Sequence, residues 1–230
     1  MSNTLQDLRV AVTGGTSGLG LALVRALHAQ GARVAFVARD AGRVQRVAAE
    51  LDGTHGIVGD IASKTDTHRI ALQINAALGG LDVLVNNASS LGPVPLALLA
   101  DTECEELEAA LAANLVGPFR LTKALLGSLA ASARERRRAA LVVNISSDAA
   151  VTPYAGWGAY GASKAALLHL SRIWSEELAE HGVHVVSFDP GDMDTPLHSL
   201  AVPDADPASL KRPADSAREL LARITAEVAA

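Results

Sequence analysis

The chain has 230 residues, 49% of them hydrophobic and 20% charged, with a net charge of −5. That composition excludes a disordered chain and suits one α/β domain or at most two small ones, while acidic charge spread without long blocks excludes the basic footprint of a nucleic-acid binder. A single cysteine, Cys104, excludes an internal disulfide; the opening "MSNTLQDLRV" has neither the basic nor the apolar region of a signal peptide, and no apolar run reaches the ~20 residues that span a bilayer, so a cytoplasmic protein without a membrane partner is expected.

Short β-rich runs then alternate with longer runs of helical apolar spacing. A tail over 3–8 leads into a first strand at 9–12; a helix at 19–30 is stopped by Gly31; a second strand follows at 33–38 and a second helix near 43–51. The pattern continues with strand 54–59, helix 65–77, strand 81–85, a long helix or broken pair over 102–131, strand 141–145, helix 159–181 and strand 183–188. Short, nearly continuous apolar strands suit a sheet covered on both faces, and strand–helix alternation predicts right-handed βαβ units and a parallel sheet. Neither a repeat nor an interdomain linker interrupts residues 1–230, which read as one domain. The stretch 192–213 carries Pro196, Pro203, Pro207 and Pro213 after a core strand, and a loop of that length in a compact domain is expected to serve as a substrate lid.

Between the first strand and first helix lies "TGGTSGLG", residues 13–20. Gly14, Gly18 and Gly20 permit a tight turn and close backbone approach to a phosphate, and the helix from Leu19 aims its N-terminal N–H groups there. The same glycines also suit a plain βα turn, so the end of strand two matters. An acid at that end would bind a ribose 2′-hydroxyl and favour NAD(H). The chain has Ala38 and then Arg39, which leaves room for a 2′-phosphate and a planar fork to bind it. Asp40 either offsets Arg39 or caps the next helix. NADP(H) is therefore preferred, with NAD(H) possible.

Tyr160 and Lys164, in "AYGASK", stand four apart and share a helix face. A free phenol titrates near pH ~10, too high for acid–base work at neutral pH, and a neighbouring ammonium lowers that value. The other tyrosine, Tyr154, has Gly158 at the same offset and so lacks the partner. Ser147 follows the strand "LVVNI", at the kind of strand end where parallel sheets bind ligands, and its hydroxyl can hydrogen-bond an oxygen gaining negative charge.

With "GDI" at 59–61, "NNA" at 86–88, "NLVGPF" at 114–119, "ISS" at 145–147, "YGASK" at 160–164 and "PGDMDT" at 190–195, in this order over the first 195 or so residues, the chain resembles the short-chain dehydrogenase/reductase family. The resemblance implies a single Rossmann-like α/β domain, its doubly wound parallel sheet of about seven strands covered by helices on both faces. It implies Tyr160 as general acid in carbonyl reduction, Ser147 orienting the substrate oxygen, Lys164 lowering the tyrosine pKa and binding the nicotinamide ribose, and Asn114 holding a relay water from an irregular helix. Cofactor contacts are implied at Thr13, Gly14, Thr16, Ser17, Gly18, Leu19 and Gly20, at Asp60 and Ile61 for the adenine, at Asn87 and Ala88, and at Pro190, Gly191, Met193 and Thr195 for the carboxamide. A homodimer or homotetramer acting on a small carbonyl or alcohol is also implied.

Two departures stand out. The family's usual "NNAG" is "NNAS", with Ser89 in place of glycine, a strained choice if that position needs positive φ. Ser17 stands where many NADP-preferring members have a basic residue, so the preference would rest on Arg39. Pocket candidates lie at 89–95, 148–157 and 193–200, with Trp157 or Tyr154 as walls. Cys104 reads as structural, the seven histidines show no metal-ligand spacing, and "ARERRR" at 133–138 reads as a solvated turn or, alternatively, a carrier-docking patch. The expected activity is NADP(H)-dependent interconversion of a carbonyl and an alcohol. The alternatives are a carrier-linked 3-oxoacyl reductase and a non-catalytic dinucleotide sensor or scaffold on the same fold.

Overall fold

The computed structural model describes residues 5–229. Six parallel strands form one sheet: β1 (Arg9–Thr13), β2 (Arg33–Ala38), β3 (His55–Val58), β4 (Val83–Asn86), β5 (Ala140–Ile145) and β6 (Val183–Phe188), ordered β3-β2-β1-β4-β5-β6. The sheet is thus one strand narrower, among the described residues, than the seven expected. After β6 the chain forms helices instead: α7 (Pro196–Ala201) and α8 (Pro213–Ala229). The strand order reverses between β1 and β4, which opens a crevice at their carboxyl ends.

Alternation along each strand divides the core in two. Val10 and Val12 of β1, Val34 and Phe36 of β2, and Leu141 and Val143 of β5 face one layer, built by α1 (Gly18–Ala29), α2 (Ala41–Glu50) and α8. Ala11, Ala35, Val37 and Val142 face the other, built by α3 (Lys64–Leu78), α5 (Gly117–Arg136) and α6 (Gly158–Leu178). Short α4 (Cys104–Leu111) precedes α5, and Cys104 is an exposed residue of its first turn. The tail reading of 3–8 changes from residue 5 on, because Leu5 and Leu8 are buried in the first layer; Asn3 and Thr4 lie outside the described residues. Sequence reading missed α8. Its Ala217, Leu220, Ile224 and Val228 recur at helical spacing and bury against the α1 layer.

The long helical stretch is a broken pair, α4 and α5 joined by one π-helical turn at Ala112–Val116. An α-helical bond to the Asn114 carbonyl would have to come from residue 118. That residue is Pro118, which has no N–H, and the helix widens there. The widening places Asn114 in the core, 1% exposed.

At the amino end of the sheet the "ARERRR" reading needs correction. Asp82, just before β4, is buried and takes three guanidinium groups. Arg9 Nη2 lies 2.9 Å from its Oδ1, Arg136 Nε 3.3 Å from the same oxygen, and Arg138 Nη2 3.6 Å from Oδ2. The Arg9 backbone N–H and the Ser132 hydroxyl also bond the carboxylate. The run closes α5 with Arg137 in the left-handed region, φ 51°, and folds two arginines back under the sheet.

Despite burial, hydrogen bonds from Arg9 and Ser132 hold the Asp82 carboxyl below the ordinary carboxylate value. Its stabilising contribution is therefore complete above the unfolded pKa of ~3.9 and lost as pH falls through the lower folded value. Asp82→Ala would leave three guanidinium groups without their shared counter-charge. We expect it to cost about 3–5 kcal/mol, read as a lowered denaturant midpoint at neutral pH.

Candidate active site

The carboxyl ends of β1 and β4 are joined by one side chain. Thr13 Oγ1 accepts the backbone N–H of Asn87 at 2.9 Å and of Ala88 at 3.0 Å, and donates to the Val85 carbonyl. Asn87 returns the contact, its Nδ2 donating to the Thr13 carbonyl at 2.8 Å. The first glycine turn is pressed against this clamp. A Cβ on Gly20 would lie 2.2 Å from the Gly14 carbonyl oxygen, and one on Gly14, at φ +69°, would lie 2.8 Å from Asn87 Nδ2. Backbone alone thus forms the floor below the amino end of α1, a cradle of the kind a pyrophosphate fits.

A cleft of about 640 Å³ runs from that floor in both directions. Toward β2 it is lined by Arg39, Asp60 and Ile61, and also by Arg43, which sequence reading did not single out. Asp40 caps α2, accepting the Arg43 backbone N–H at 2.9 Å, so its carboxylate is engaged with the helix. Arg43 Nε stays 3.7 Å from Asp40, and Arg39 has no ion pair with it. Toward β5 the cleft is lined by Asn87, Ala88, Ser147, Tyr160, Lys164, Pro190, Gly191, Met193 and Thr195. Gly14, Thr16, Ser17, Gly18 and Leu19 line its middle. Thr13 and Gly20 shape the floor from beneath, and Asn114 stands behind the wall. The residues fit a dinucleotide: a glycine cradle for the pyrophosphate, Arg39, which has no ion pair among the described residues, for a phosphate near the adenosine, and a phenol and ammonium at the far end.

At that end Ser147, two residues past β5, caps a short turn, its Oγ accepting the Ala149 N–H and donating to Asp148 Oδ1 at 3.0 Å. Asp148 also accepts the Tyr154 hydroxyl at 2.7 Å; these bonds hold its carboxyl below the usual carboxylate range. Tyr154 thus braces Asp148 and is exposed, whereas Trp157 is the aromatic wall, edge-on to Tyr160 with ring centroids 5.7 Å apart.

Tyr160 and Lys164 share a face of α6, with Lys164 Nζ 5.5 Å from the phenol ring centroid. The ammonium donates to the Ile145 carbonyl at 2.8 Å, which ties α6 to the end of β5. The expectation of a lowered tyrosine pKa is reversed in the protein alone. Burial pushes the phenol up to about 12, against the pull of hydrogen bonds from Ser147 and Ser89, and burial pushes the Lys164 ammonium down to about 8. Two groups removed from water both shift toward neutrality.

Asn114 is fixed by four bonds. Its Oδ1 accepts the Ser90 N–H at 2.8 Å and the Ser89 hydroxyl at 3.1 Å; its Nδ2 donates to the Ser90 carbonyl at 2.7 Å and to Ser163 Oγ at 2.8 Å. The side chain therefore anchors the loop after β4 to α6. Among the described residues outside glycine, only Asp7 and Arg137 have positive φ, so Ser89 carries no backbone strain. The stretch 192–213 is closed at its base by two backbone bonds, Asp194 N to the Lys211 carbonyl at 2.9 Å and Lys211 N to the Asp192 carbonyl at 3.0 Å. Between them α7 brings Leu197, His198 and Leu200 to the cleft.

Comparison with known proteins agrees with this geometry. The family model described as short chain dehydrogenase matches residues 9–205, and the chain belongs to that family of oxidoreductases. It is 32% identical over 199 residues to the L-fucose dehydrogenase of Mus musculus, covering 86% of this chain and 70% of that protein. Its fold matches the 3-ketoacyl-(acyl-carrier-protein) reductase of Brucella melitensis complexed with NADH (TM-score 0.87, 26% identity, 94% of this chain and 90% of that one). It also matches a short chain dehydrogenase from Burkholderia cenocepacia in complex with NADP (TM-score 0.84, 28% identity, 96% and 91% covered).

Because Lys164 is charged at a cost, its removal should stabilise the fold. Below pH 8 the ammonium is charged in both folded and unfolded chains; above ~10.5 it is neutral in both, and between these limits wild-type stability climbs with pH because the unfolded chain binds more protons. We expect Lys164→Met to be more stable than wild type by on the order of 1–3 kcal/mol at pH 7, the gain shrinking as pH approaches 10. Denaturant midpoints of both proteins across that range check it.

Proposed function

We propose that the chain is an NADP(H)-dependent reductase or dehydrogenase that interconverts a ketone or aldehyde with its alcohol. The observation that carries the reading is the convergence of Ser147, Tyr160 and Lys164 at one end of a cleft whose other end carries Arg39 and Arg43. The nicotinamide supplies the hydride when bound. Arg39, free of Asp40, takes the 2′-phosphate, with Arg43 as a second cation; the neighbour complexed with NADP supports this, and the one complexed with NADH leaves NAD(H) as the lesser cofactor.

Tyr160 holds its proton firmly in the protein alone, which suits a general acid that must keep it until the carbonyl oxygen gains charge. Ser147 lies beside it to hydrogen-bond that oxygen. Lys164, held by the Ile145 carbonyl, orients the ribose and favours the phenolate once the phenol has given up its proton. Because the Asn114 side chain is committed to Ser89, Ser90 and Ser163, the relay water falls to its backbone carbonyl in the π-helical turn. The segment 192–213 acts as a lid over a single domain. The exposed Phe119, stacked on Trp174 of α6 at 5.2 Å, and exposed Ile173 mark an apolar face suited to a homodimer or homotetramer. A cytoplasmic location is part of the same reading.

The likeness to a carrier-protein reductase favours a second reading, reduction of a carrier-tethered 3-oxoacyl group. The arginine run does not support it. Arg138 precedes β5 and Ser147 follows it, so the patch lies a strand length away, ~20 Å, at the opposite end of the sheet. Two of its arginines also hold Asp82, so alanine there would test folding rather than docking. Comparing free and carrier-tethered 3-oxoacyl substrates separates the readings. A sensor without activity is disfavoured by the full convergence of Asn114, Ser147, Tyr160 and Lys164.

The test is oxidation of NADPH and NADH across a panel of ketones, aldehydes and diketones. Tyr160→Phe should lower turnover about 10²–10⁴-fold while NADPH still binds. Arg39→Ala should weaken NADPH binding about tenfold or more and leave NADH binding unchanged, read by cofactor fluorescence.

A further inference from the structure

The cleft around Tyr160 is walled by a third apolar cluster, separate from the two layers of the core. Leu91, Ala149 and Tyr160 are buried together, with Leu96, Trp157 and Leu197 packed against them. The apolar lining continues outward. Val94 and Leu200 line the cleft while half exposed, at 50% and 52%. Leu99 covers the first turn of α6, its Cδ2 sitting where a Cβ of Gly158 would lie. Among the described residues, seven of the eleven exposed large hydrophobic side chains fall within 94–99, 151–154 and 200–202. Scattered singly, such residues need no explanation; gathered on the segments that wall one end of a cleft, they mark a surface for an apolar ligand.

Polar groups at this end are already engaged. Asp148 accepts the Ser147 hydroxyl, the Tyr154 hydroxyl and the Ala149 N–H, the last two at 2.7 Å. Ser90 Oγ accepts the Gly92 N–H at 3.3 Å, and Asp189 Oδ1 accepts the Gly191 N–H at 2.9 Å. His198 has Nδ1 buried and Nε2 3.9 Å from Asp192. Charge here is also one-sided. Asp148, Asp189 and Asp192 line this end, whereas Arg39 and Arg43 lie toward β2 and Lys164 is bonded to the Ile145 carbonyl.

We propose that the substrate is an uncharged, apolar ketone or aldehyde, its carbonyl at Ser147 and Tyr160 and its alkyl or aryl body against Leu91, Trp157 and Leu197, reaching outward to Val94 and Leu200. The inference rests on the reading of Ser147 and Tyr160 as the reacting end. A body rich in hydroxyls would give up water here without gaining hydrogen-bond partners. A carboxylate or phosphate on the substrate would meet aspartates without a free cation. An apolar body gains by displacing water from the cluster, and its gain grows with each methylene buried.

Methyl ketones whose chains end in methyl, hydroxyl, carboxylate or ammonium separate these classes when kcat/KM is measured with NADPH and with NADH. In the methyl-ended series kcat/KM should rise about three- to fivefold per added methylene until the pocket is filled. The carboxylate-ended ketone should fall about tenfold or more below the methyl-ended one of equal length. Leu200→Lys, at an exposed position, should lower kcat/KM for the methyl-ended ketone and raise it for the carboxylate-ended one, moving their ratio about tenfold. Changes in opposite directions cannot come from loss of folding. A methyl-ended series that is flat, or a preference for the hydroxyl-, carboxylate- or ammonium-ended ketone, would overturn the proposal; turnover that still vanishes in Tyr160→Phe would leave the reductase reading standing. A folded protein that reduces no member of the series with either cofactor would overturn both.

Discussion

The Thr13 hydroxyl joins the two strands whose divergence opens the cleft, and the geometry of the site is referenced to it. It accepts two backbone N–H groups from the loop after β4 and donates to the carbonyl of Val85, so β1 and β4 cannot separate without orphaning buried polar groups. The glycine turn sits on one side of this clamp, and the loop 87–92 leaves from the other. One layer deeper, Asn86 Nδ2 donates to Asn144 Oδ1 at 2.8 Å and Asn144 Nδ2 donates to Ser171 Oγ at 2.8 Å. This buried ladder carries the position of β4 through β5 to α6, the helix that bears Tyr160 and Lys164. Asn114 closes the circuit by binding the loop after β4 to Ser163 of α6. A tyrosine more than 140 positions along the chain from Thr13 is thereby held in register with the glycine turn.

Holding a phenol and an ammonium in such a frame costs stability. Tyr160 and Lys164 are both buried, at 7% and 2% exposure, and each is displaced toward its neutral form. Bound cofactor would bring charge to this pocket and change the balance between the two. The frame beneath them is correspondingly over-determined: the Ile145 carbonyl fixes the ammonium, and the Asn86–Asn144–Ser171 ladder fixes the helix. The amino end of the sheet contributes in a different manner, through one carboxylate shared by three arginines. There the ion cluster locks α5 to β1 and β4, far from the cleft, where rigidity does not interfere with ligand entry.

Much of this was legible in sequence because it is carried by local rules. Strand bounds at 33–38 and 183–188 matched, since both runs are rich in valine and phenylalanine, which favour strands. The cradle, Arg39 and the Tyr160–Lys164 pair were legible because each depends on residue type at fixed spacing. What was missed depends on contacts between distant segments. Arg136 and Arg138 look like solvated charge until β4 brings Asp82 beneath them. Arg43 lines the cleft from the first turn of α2, which Asp40 caps, and the sequence shows the cap but not the direction of that turn. The irregular helix at Asn114, expected through the family resemblance, also has a local signal in Pro118 four residues later, and the missed α8 has one in the spacing of Leu220, Ile224 and Val228. The direction of the tyrosine shift was misjudged for a physical reason: spacing reveals the lysine's attraction, whereas desolvation depends on the whole enclosure.

The two halves of the cleft are built from different materials, and this explains why one is readable and the other is not. The half over the glycine turn is floored by backbone, glycines and helix N–H groups braced by the Asn87 side chain, all within segments of fixed spacing. The other half is walled by side chains from three separated segments, Leu91 and Val94 after β4, Asp148 and Trp157 after β5, and Leu197 and Leu200 on α7. Backbone geometry tolerates few substitutions, so its glycines and its threonine clamp are constrained jointly. Side chains on loops can change one at a time without disturbing the sheet. Ser89 lies where the halves meet: it lines the cleft, yet its hydroxyl is bonded to Asn114 Oδ1 and so to the rigid frame, which makes it the loop side chain least free to change alone.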